Sequence, residues 1–316
     1  MKQSGRQFSP YIENVLMKVW EEAANVHMSI ADFCYESLRK MGKDVTLKKD
    51  LELKPEDING QDILMSLGGD GTYLRTSGLI ETPDIPILGI NTDPSRSIGF
   101  LCNNKIYADM KEKQIERIFD NLEKENFEYF YRQRINFQMT SPVTGEVTNK
   151  LVLNEIFAAE KDTGKTSIYK LIVDDQDLGK YKSSGIIIST GTGSSGWLFS
   201  ARRITQSDVR TILSYMGNTE GMDMMEEHYA RTISKQTIFP PEEERMYYFV
   251  REGYLKERTG FNRHSEGYAS NIKYISELIE GRVFIDGYYT KDIGLGDVFT
   301  VDTKPEYKLK CIRFLL

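Results

Sequence analysis

A glycine-rich stretch in the first third of the chain combines the residue types that an anion site needs. Gly68, Gly69, Gly71 and Thr72 surround a single acid, Asp70. Glycine permits unusual backbone angles and lets a phosphate come close to the main chain. Because an acid is unfavourable beside a phosphate, Asp70 indicates a chemical role: accepting a proton from an attacking hydroxyl, holding a metal ion or orienting a sugar. The alternative is an ordinary Gly-Asp turn.

The spacing of these glycines excludes two common phosphate-binding motifs. No Gly-Lys-Ser/Thr sequence follows, so the stretch is not a Walker loop. The glycines also lack the G-x-G-x-x-G spacing of a dinucleotide fingerprint. A different kind of phosphate chemistry is therefore indicated.

A second stretch of small residues runs from Ser189 to Trp197. Its hydroxyls and backbone amides can hydrogen-bond a phosphate or a ribose without bulk, and Trp197 offers a face to a planar ring. The alternative is a flexible surface loop whose tryptophan is a core anchor. Composition alone leaves both interpretations open.

Two further polar pairs stand beside apolar runs. Asn154 and Glu155 lie within a predicted strand, where burial costs free energy unless the groups are paired. Ribose hydroxyls would pair with both, and so would a structural hydrogen-bond network. Asp286 and Gly287 follow a predicted strand and predict a turn at its end.

The elements around the first stretch predict a parallel sheet. An apolar strand over residues 63–67 leads into the glycines, helical character follows, and a second apolar strand covers residues 87–90. Strand–helix–strand alternation is typical of a parallel sheet with helices on its faces. Ligands bind beyond the carboxyl ends of such strands, so Asp70 and Asn91 are expected to face one crevice.

Periodicity and strand-forming residues predict the remaining elements. In the first part they predict helices over 10–41 and 106–125, a short strand over 44–47, and a loop or helical turn over 54–60. The second part is mostly β, with predicted strands at 129–131, 135–139, 151–157, 168–173, 185–189, 246–250, 282–285 and 297–301. A helical or irregular insertion at about 202–235 interrupts these strands.

Composition excludes several classes of protein. The chain has 316 residues, long enough for two domains, and its net charge of −6 excludes a broad nucleic-acid surface. No long uncharged apolar run predicts a membrane span, and the first residues lack a signal core or a recognisable transit peptide. Three separated cysteines and three scattered histidines favour a reducing compartment and disfavour zinc, disulfides or a Ser-His-Asp triad.

Together these stretches resemble the NAD kinase family over roughly residues 60–300. The motifs occur in the family's order: GGDGT, GINTDPSRSIGFL, LNE, TGTGSSGW and VFIDG. The TDPSRSIGFLC and YKSSG runs, the tryptophan and the helical insertion resemble the mitochondrial-type branch. Other members usually carry a proline in place of Gly191, a tyrosine in place of Trp197 and an acid in place of Ser184.

The resemblance implies phosphoryl transfer from ATP, or from inorganic polyphosphate, to the 2′-hydroxyl of the adenosine ribose of NAD, with Mg²⁺ or another divalent cation. It implies an α/β plus all-β fold: a Rossmann-like N-terminal domain at 1–103 and a C-terminal β-sandwich domain at 104–300, with residues 301–316 packing back on the first. It also implies a homodimer or larger homo-oligomer with the site near the subunit interface. The subfamily implies the mitochondrial matrix, with the cytoplasm as the alternative.

The same resemblance assigns roles by motif. Asp70 is the proton acceptor, Gly68, Gly69, Gly71 and Thr72 form its loop, and the metal ligands stay unassigned. The expected NAD contacts are Asn91, Phe100, Asn154, Glu155, Lys182, Ser184, Thr190, Ser195, Gly196, Trp197 and Ser200. The partners are small-molecule substrates, with no nucleic acid and no membrane.

Two other functions stay open from sequence. A lipid kinase of the diacylglycerol or sphingosine type also carries a GGDGT loop, but not the Asn154-Glu155 pair followed by TGTGSSGW. A non-catalytic sensor of NAD(H) would bind the dinucleotide without turnover, and the retained Asp70 argues against it.

Overall fold

The structure of the chain is a computed structural model that describes residues 9–140, 145–217, 222–254 and 265–315, except for the side chains of 13–14 and 222–224. The chain forms two compact units. The first comprises Met1–Thr76, Ile85–Phe130 and Cys311–Leu316, and the second comprises Ser77–Asp84 and Tyr131–Lys310. The predicted boundary at residue 103 therefore falls inside the first unit.

The first unit begins with a long helix. A π-helical turn, Ile12–Leu16, leads into α1, Met17–Lys40, which confirms the helix predicted over 10–41. Gly42 lies just past the end of the helix, and its φ of +75° is a left-handed conformation that suits glycine. The later helices of this part of the chain are α2, Pro55–Ile58; α3, Asp70–Ser77; and α4, Lys111–Glu123.

A sheet stands at the centre of the first unit. Strand β1, Leu64–Leu67, pairs in parallel with β2, Ile87–Asn91, as the apolar runs predicted. The short strand β3, Asn104–Lys105, pairs with the end of β2, and the last strand, β17, Leu309–Phe314, pairs with its start. Strand β4, Phe127–Arg132, lies beyond β17.

The core of the first unit lies between this sheet and its helices. The side chains that form it are all apolar and buried: Ile30, Cys34, Leu88, Ile90, Ile106, Ile115, Ile118, Phe119 and Ile312. Burial of this kind is the main favourable term in folding. The α/β arrangement predicted for the N-terminal part is confirmed.

The second unit is a sandwich of two antiparallel six-stranded sheets, in the orders β12-β11-β10-β7-β14-β15 and β6-β5-β16-β13-β8-β9. Alternate residues of both sheets point inward and fill one apolar core. This confirms the β-sandwich. The strands are β5, Ile135–Thr140; β6, Val147–Val152; β7, Glu155–Glu160; β8, Ser167–Val173; β9, Gln176–Ser183; β10, Gly185–Ser189; β11, Met246–Arg251; β12, Glu266–Ala269; β13, Asn271–Ser276; β14, Gly281–Ile285; β15, Tyr289–Ile293; and β16, Val298–Asp302.

Three helices follow β10, and the last two occupy the predicted insertion at about 202–235. They are α5, Trp197–Arg202; α6, Gln206–Tyr215; and α7, Met222–Lys235. Thr205 caps α6, because its hydroxyl accepts the N–H of Asp208 while the Asp208 carboxylate accepts the N–H of Thr205. No helix in the described ranges is both long and apolar enough to cross a bilayer.

Three local predictions were wrong. Residues 44–47 form no strand, because Leu47 is exposed and no neighbouring strand pairs with them. The helix predicted from residue 106 starts at Lys111, because the N–H of Ile106 donates to the carbonyl of Asn91 beside the sheet. The strand predicted over 151–157 divides into β6 and β7 at Leu153 and Asn154, whose N–H groups donate to a carboxylate instead of a neighbouring strand.

Candidate functional site

The carboxylate of Asp70 stands at the first residue of α3 and is held by two backbone donors. The N–H of Phe100 donates to one carboxylate oxygen at 3.1 Å, and the N–H of Leu101 donates to the other at 2.8 Å. Each oxygen keeps a further lone pair. The side chain is therefore fixed in direction yet able to accept a proton.

The glycines around Asp70 allow close packing of two loops. Gly68 has φ +144°, and a Cβ there would lie 2.8 Å from the Thr72 hydroxyl. A Cβ on Gly69 would lie 3.3 Å from the hydroxyl of Ser97, which belongs to the loop after β2. Gly71 is different, because a Cβ there meets no atom within 4 Å. The open side of the loop is therefore at Gly71.

Asn91 is fully buried at the end of β2 and holds the loop that follows. Its side-chain N–H donates to the carbonyl of Ser97, and its side-chain oxygen accepts the N–H of Asp93. A Cβ on Gly99 would lie 2.5 Å from the Asn91 amide nitrogen. The structure thus gives Asn91 a role in shaping this loop, and direct contact with NAD stays a prediction.

The same loop exposes two large apolar side chains. Ile98 and Phe100 are 68% and 66% exposed, although the backbone of Phe100 is tied to Asp70. An exposed ring anchored next to the Asp70 carboxylate is well placed to cover a flat base. The predicted contact between Phe100 and adenine is compatible with this placement.

In the second unit, the pair Asn154 and Glu155 lies at the bend between β6 and β7. The backbone N–H groups of both residues donate to one oxygen of Asp286, at 2.7 and 3.1 Å. The N–H of Leu153 donates to the other oxygen at 2.8 Å. These bonds fix the position of the backbone. Both side chains are only partly buried, so a ligand can reach them.

Glu155 has a strongly perturbed carboxyl group. Its pKa is raised to about 8, first by burial and then by the negative charge of Asp286. A protonated carboxyl both donates and accepts hydrogen bonds, which suits a ribose that carries two neighbouring hydroxyls. Perturbed pKa values of this kind are concentrated at functional sites.

The raised pKa predicts a pH-dependent stability. Between the ordinary value of 4.5 and about 8, the folded protein binds more protons at Glu155 than the unfolded chain does. Stability therefore falls as the pH rises through this range. We expect Glu155→Gln to have little effect on the free energy of unfolding at pH 5 and to raise it by about 1–3 kcal/mol at pH 8.5, since each pKa unit corresponds to about 1.4 kcal/mol.

Urea denaturation at the two pH values measures this effect. Glu306→Gln, at an exposed position of the second unit, is the control. Equal effects of Glu155→Gln at pH 5 and pH 8.5 would contradict the assignment of a proton-retaining carboxyl.

The stretch of small residues packs directly on the Asn154 backbone. The N–H of Thr190 donates to the Asn154 carbonyl at 2.9 Å, and the Thr190 hydroxyl donates to the Leu153 carbonyl at 2.5 Å. A Cβ on Gly193 would lie 2.2 Å from the Asn154 oxygen. A Cβ on Gly191 would lie 1.9 Å from the carbonyl oxygen of Pro240 on the other side. The loop is therefore held tightly from both sides. The sequence had left open whether this stretch was a flexible surface loop.

Trp197 shares a sheet face with Glu155. Its ring lies 4.6 Å from the ring of Phe157, and Phe157 points to the same side of β7 as Glu155 because side chains alternate along a strand. The tryptophan is 38% exposed. The structure thus brings a partly open indole and the perturbed carboxyl to one face.

The remaining predicted contacts differ in exposure. Thr190 is buried and serves the loop itself, whereas five others are exposed: Lys182, Ser184, Ser195, Gly196 and Ser200. The N–H of Ser184 donates to the carbonyl of Arg251, whose guanidinium lies 5.6 Å from the Phe157 ring centre. Ser184 is thus connected to the face that carries Trp197.

Sequence reasoning missed two residues of these sites. Asp286 was predicted as a turn residue, yet its carboxylate accepts all three N–H groups from Leu153 to Glu155. Arg251 carried no motif signal at all. The signal available for Asp286 was an acid directly after an apolar strand, which the turn interpretation also explained.

Among the described residues, no three His, Cys, Asp or Glu side chains cluster as a metal site. A Mg²⁺ ion bound mainly by phosphate oxygens needs only one or two protein carboxylates. The single fixed carboxylate of Asp70 fits that kind of ion.

Known proteins resemble this chain in sequence and in fold. Residues 13–127 match the family model of the ATP-NAD kinase N-terminal domain. NAD kinase 2, mitochondrial, from Homo sapiens is 23% identical over 331 residues, covering 92% of this chain and 74% of that protein. The chain resembles the NAD kinase family. Its resemblance to the mitochondrial-type branch is confirmed by the same relative.

Two NAD kinases match different shares of the chain. The NAD kinase of Christiangramia forsetii is 35% identical over 142 residues, 45% of each protein. A crystal structure of an NAD kinase from Archaeoglobus fulgidus in complex with ATP superposes with a TM-score of 0.56 at 20% identity, covering 98% of this chain and 90% of that one. At this identity the superposition supports the shared fold.

Proposed function

We propose that this chain transfers the terminal phosphoryl group of ATP to the 2′-hydroxyl of the adenosine ribose of NAD, giving NADP. The observation that carries the proposal is the Asp70 carboxylate, held by two N–H groups at the start of a helix in a glycine-rich loop. The resemblance to NAD kinases supports the substrate.

In this mechanism Asp70 accepts the proton of the 2′-hydroxyl. A secondary alcohol is a poor nucleophile near neutral pH, so a carboxylate within hydrogen-bond reach accelerates its attack. The oxygen of the ribose then forms a bond to the terminal phosphorus, and the bond between that phosphorus and the bridging oxygen of ADP breaks. Phosphoryl transfer of this kind depends on positioning and charge stabilisation more than on a covalent intermediate.

The phosphates of ATP are proposed to lie against the start of α3. The first N–H groups of a helix lack partners within the helix and carry a partial positive charge, which stabilises an anion. The open side at Gly71 leaves room for this approach. A divalent cation, held by these phosphates and Asp70, would neutralise the charge on the transferred group.

Gly71→Ala tests this placement. A methyl group at Gly71 meets no protein atom within 4 Å, so we expect the fold to be unharmed or slightly stabilised. The methyl would occupy the space of a phosphate, and we expect the KM for ATP to rise about tenfold or more. Steady-state kinetics with both substrates and a melting curve give the result. An unchanged KM for ATP would place the phosphates elsewhere.

The NAD side of the reaction is proposed to use the second unit. The protonated Glu155 and the Asn154 amide together offer donors and acceptors to the ribose hydroxyls. Trp197 offers its exposed face to a ring of the dinucleotide, and Ser184, Ser195 and Lys182 supply further polar contacts.

A coupled assay tests the function. The purified chain is incubated with NAD and Mg-ATP, and NADP is read by an NADP-specific dehydrogenase. NADP formation supports the proposal, and replacing ATP by polyphosphate identifies the donor. Phosphorylation of diacylglycerol or sphingosine instead, or tight NAD binding without product, would overturn it.

We also propose a homo-oligomer and a mitochondrial location. The location rests on the relatives named mitochondrial, and the assembly rests on the family resemblance. Light scattering of the purified chain and fractionation of the source cells test the two statements. A monomer at working concentration, or recovery outside mitochondria, would contradict them.

A further inference from the structure

The turn after β14 is connected to the NAD-binding pair in both directions. The N–H of Asp286 donates to the Glu155 carbonyl at 3.0 Å, while the Asp286 carboxylate accepts the N–H of Glu155 at 3.1 Å. The same carboxylate accepts the N–H groups of Leu153 and Asn154 at 2.8 and 2.7 Å. The bend that presents Asn154 and Glu155 is thus bonded to a single side chain from the turn after β14.

The backbone of the turn is shaped to place this side chain. Asp286 has φ +50° and Gly287 has φ +69°, so two consecutive residues are left-handed. The N–H of Tyr288 donates to the carbonyl of Ile285 at 3.1 Å and closes the turn. A non-glycine residue in this conformation is uncommon, and aspartate is among the few side chains that tolerate it. A simple turn would have been served equally by glycine or asparagine.

The carboxylate of Asp286 is also buried, with only 4% of the residue exposed. Burial of a charge is unfavourable unless donors or an opposite charge compensate it. Three N–H groups do so, and the positive charge of Arg134 acts in the same direction. Arg134 is itself held by the carbonyls of Ser77, Ile80 and Tyr307. The net effect of burial is to raise the pKa of Asp286 to about 6, so the group is ionised at neutral pH.

A second aspartate in the same unit shows what an ordinary turn acid looks like here. Asp174 also has a left-handed φ, +45°, and accepts two backbone N–H groups, from Ser270 and Asn271. It uses one oxygen for both and is exposed. Asp286 differs by its burial, by the use of both oxygens and by the residues that it holds.

We propose that Asp286 is a positioning residue for NAD, whose carboxylate sets the direction of Asn154 and Glu155 toward the ribose. The inference rests on the proposed function, because it gives that pair its ligand. Asp286 acts through the backbone and touches no substrate. A displacement of about 1 Å at a substrate-positioning residue can cost about 10²-fold in rate, so loss of this support is expected to affect NAD more than ATP.

Asp286→Asn is the test, with Asp174→Asn as the matched control. Asparagine tolerates a left-handed φ, but one side-chain oxygen becomes an N–H₂ group that cannot accept a backbone N–H. We expect the KM for NAD to rise about tenfold or more while the KM for ATP changes by less than about twofold. The control is expected to leave both KM values unchanged.

A pH series supplies a readout that loss of stability alone would not move. The charged groups that face Glu155 and Asp286 are each other and Arg134. Removal of the Asp286 charge lowers the pKa of Glu155, so the pH at which NAD binding changes is expected to move to lower values in Asp286→Asn. Equilibrium binding of NAD from pH 6 to 9 measures this.

The outcomes separate the two proposals. A wild-type chain that makes no NADP overturns the proposed function. An active wild type with an unchanged KM for NAD in Asp286→Asn, an equal rise in both KM values, or the same rise in Asp174→Asn overturns only the positioning role. Should Asp286→Asn fail to fold, Asp286→Glu replaces it under the same criteria for the two KM values, because glutamate keeps the charge but moves its oxygens.

Discussion

Replacing Asp70 by Asn is expected to lower the kcat for NADP formation by about 10²- to 10⁴-fold, the usual contribution of a general base. Asparagine has nearly the same shape but cannot accept the ribose proton. The KM for NAD is expected to change little, because the proposed ribose contacts lie on Asn154 and Glu155. Initial rates at saturating substrate, together with equilibrium binding of NAD, measure the two effects separately.

The free energy of unfolding of Asp70→Asn must be measured together with its kinetics. The two N–H groups that the carboxylate accepts, from Phe100 and Leu101, cannot both be accepted by an amide. We expect a loss of about 1 kcal/mol, the contribution of one hydrogen bond. Asp57→Asn is the control, since Asp57 also accepts a backbone N–H, from Lys54, outside the proposed site. Retention of most of the kcat in Asp70→Asn would remove Asp70 from the mechanism.

Replacing Gly193 by Ala is expected to weaken NAD binding, because it disturbs the proposed NAD contacts of the second unit. The new methyl would lie 2.2 Å from the oxygen and 2.5 Å from the carbonyl carbon of Asn154. Both are backbone atoms, and a contact this short forces the loop and the bend apart. The bond from the Thr190 N–H to the Asn154 carbonyl is then lost.

The expected magnitudes follow from strain and lost bonds. Overpacking a well-packed region costs about 1–3 kcal/mol, and each lost hydrogen bond about 1 kcal/mol more. For a unit of this size we expect the melting temperature to fall by about 10 °C. The KM for NAD is expected to rise about 10²-fold, the effect of a displacement near 1 Å.

Gly294→Ala provides the comparison. Gly294 lies in the same unit, and the nearest atom to a Cβ there is an Asp297 oxygen at 4.0 Å. We expect a change in melting temperature below about 2 °C and unchanged kinetics, as for most surface substitutions. A Gly193→Ala protein that melts and binds NAD like the wild type would show that the loop and the bend are not in tight contact.

The sequence predicted elements whose signals are local. Residues 63–67 and 87–90 are apolar runs next to glycines, and they form neighbouring parallel strands. The helical repeat of 10–41 produced one long helix for the same reason. The motifs also identified Asp70, Asn154 and Glu155 as candidates, because acids and amides beside apolar runs are unusual.

Features that depend on distant residues escaped prediction. Strand β9, Gln176–Ser183, is polar, and its pairing with β8 rather than its composition makes it a strand. The bend at Asn154 needs the carboxylate of Asp286, which lies far along the chain. The tight layer formed by Gly191 and Gly193 depends on backbone atoms of Pro240 and Asn154, which no local pattern reveals.

The connectivity of the first unit has a consequence for biosynthesis. Strand β17 stands between β2 and β4 in its sheet, but the ribosome makes it only after all of residues 131–308. Until β17 is made, the nascent α/β half has an unpaired strand edge at β2. Exposed edges of this kind are aggregation-prone, so this half is the expected client of chaperones on the ribosome.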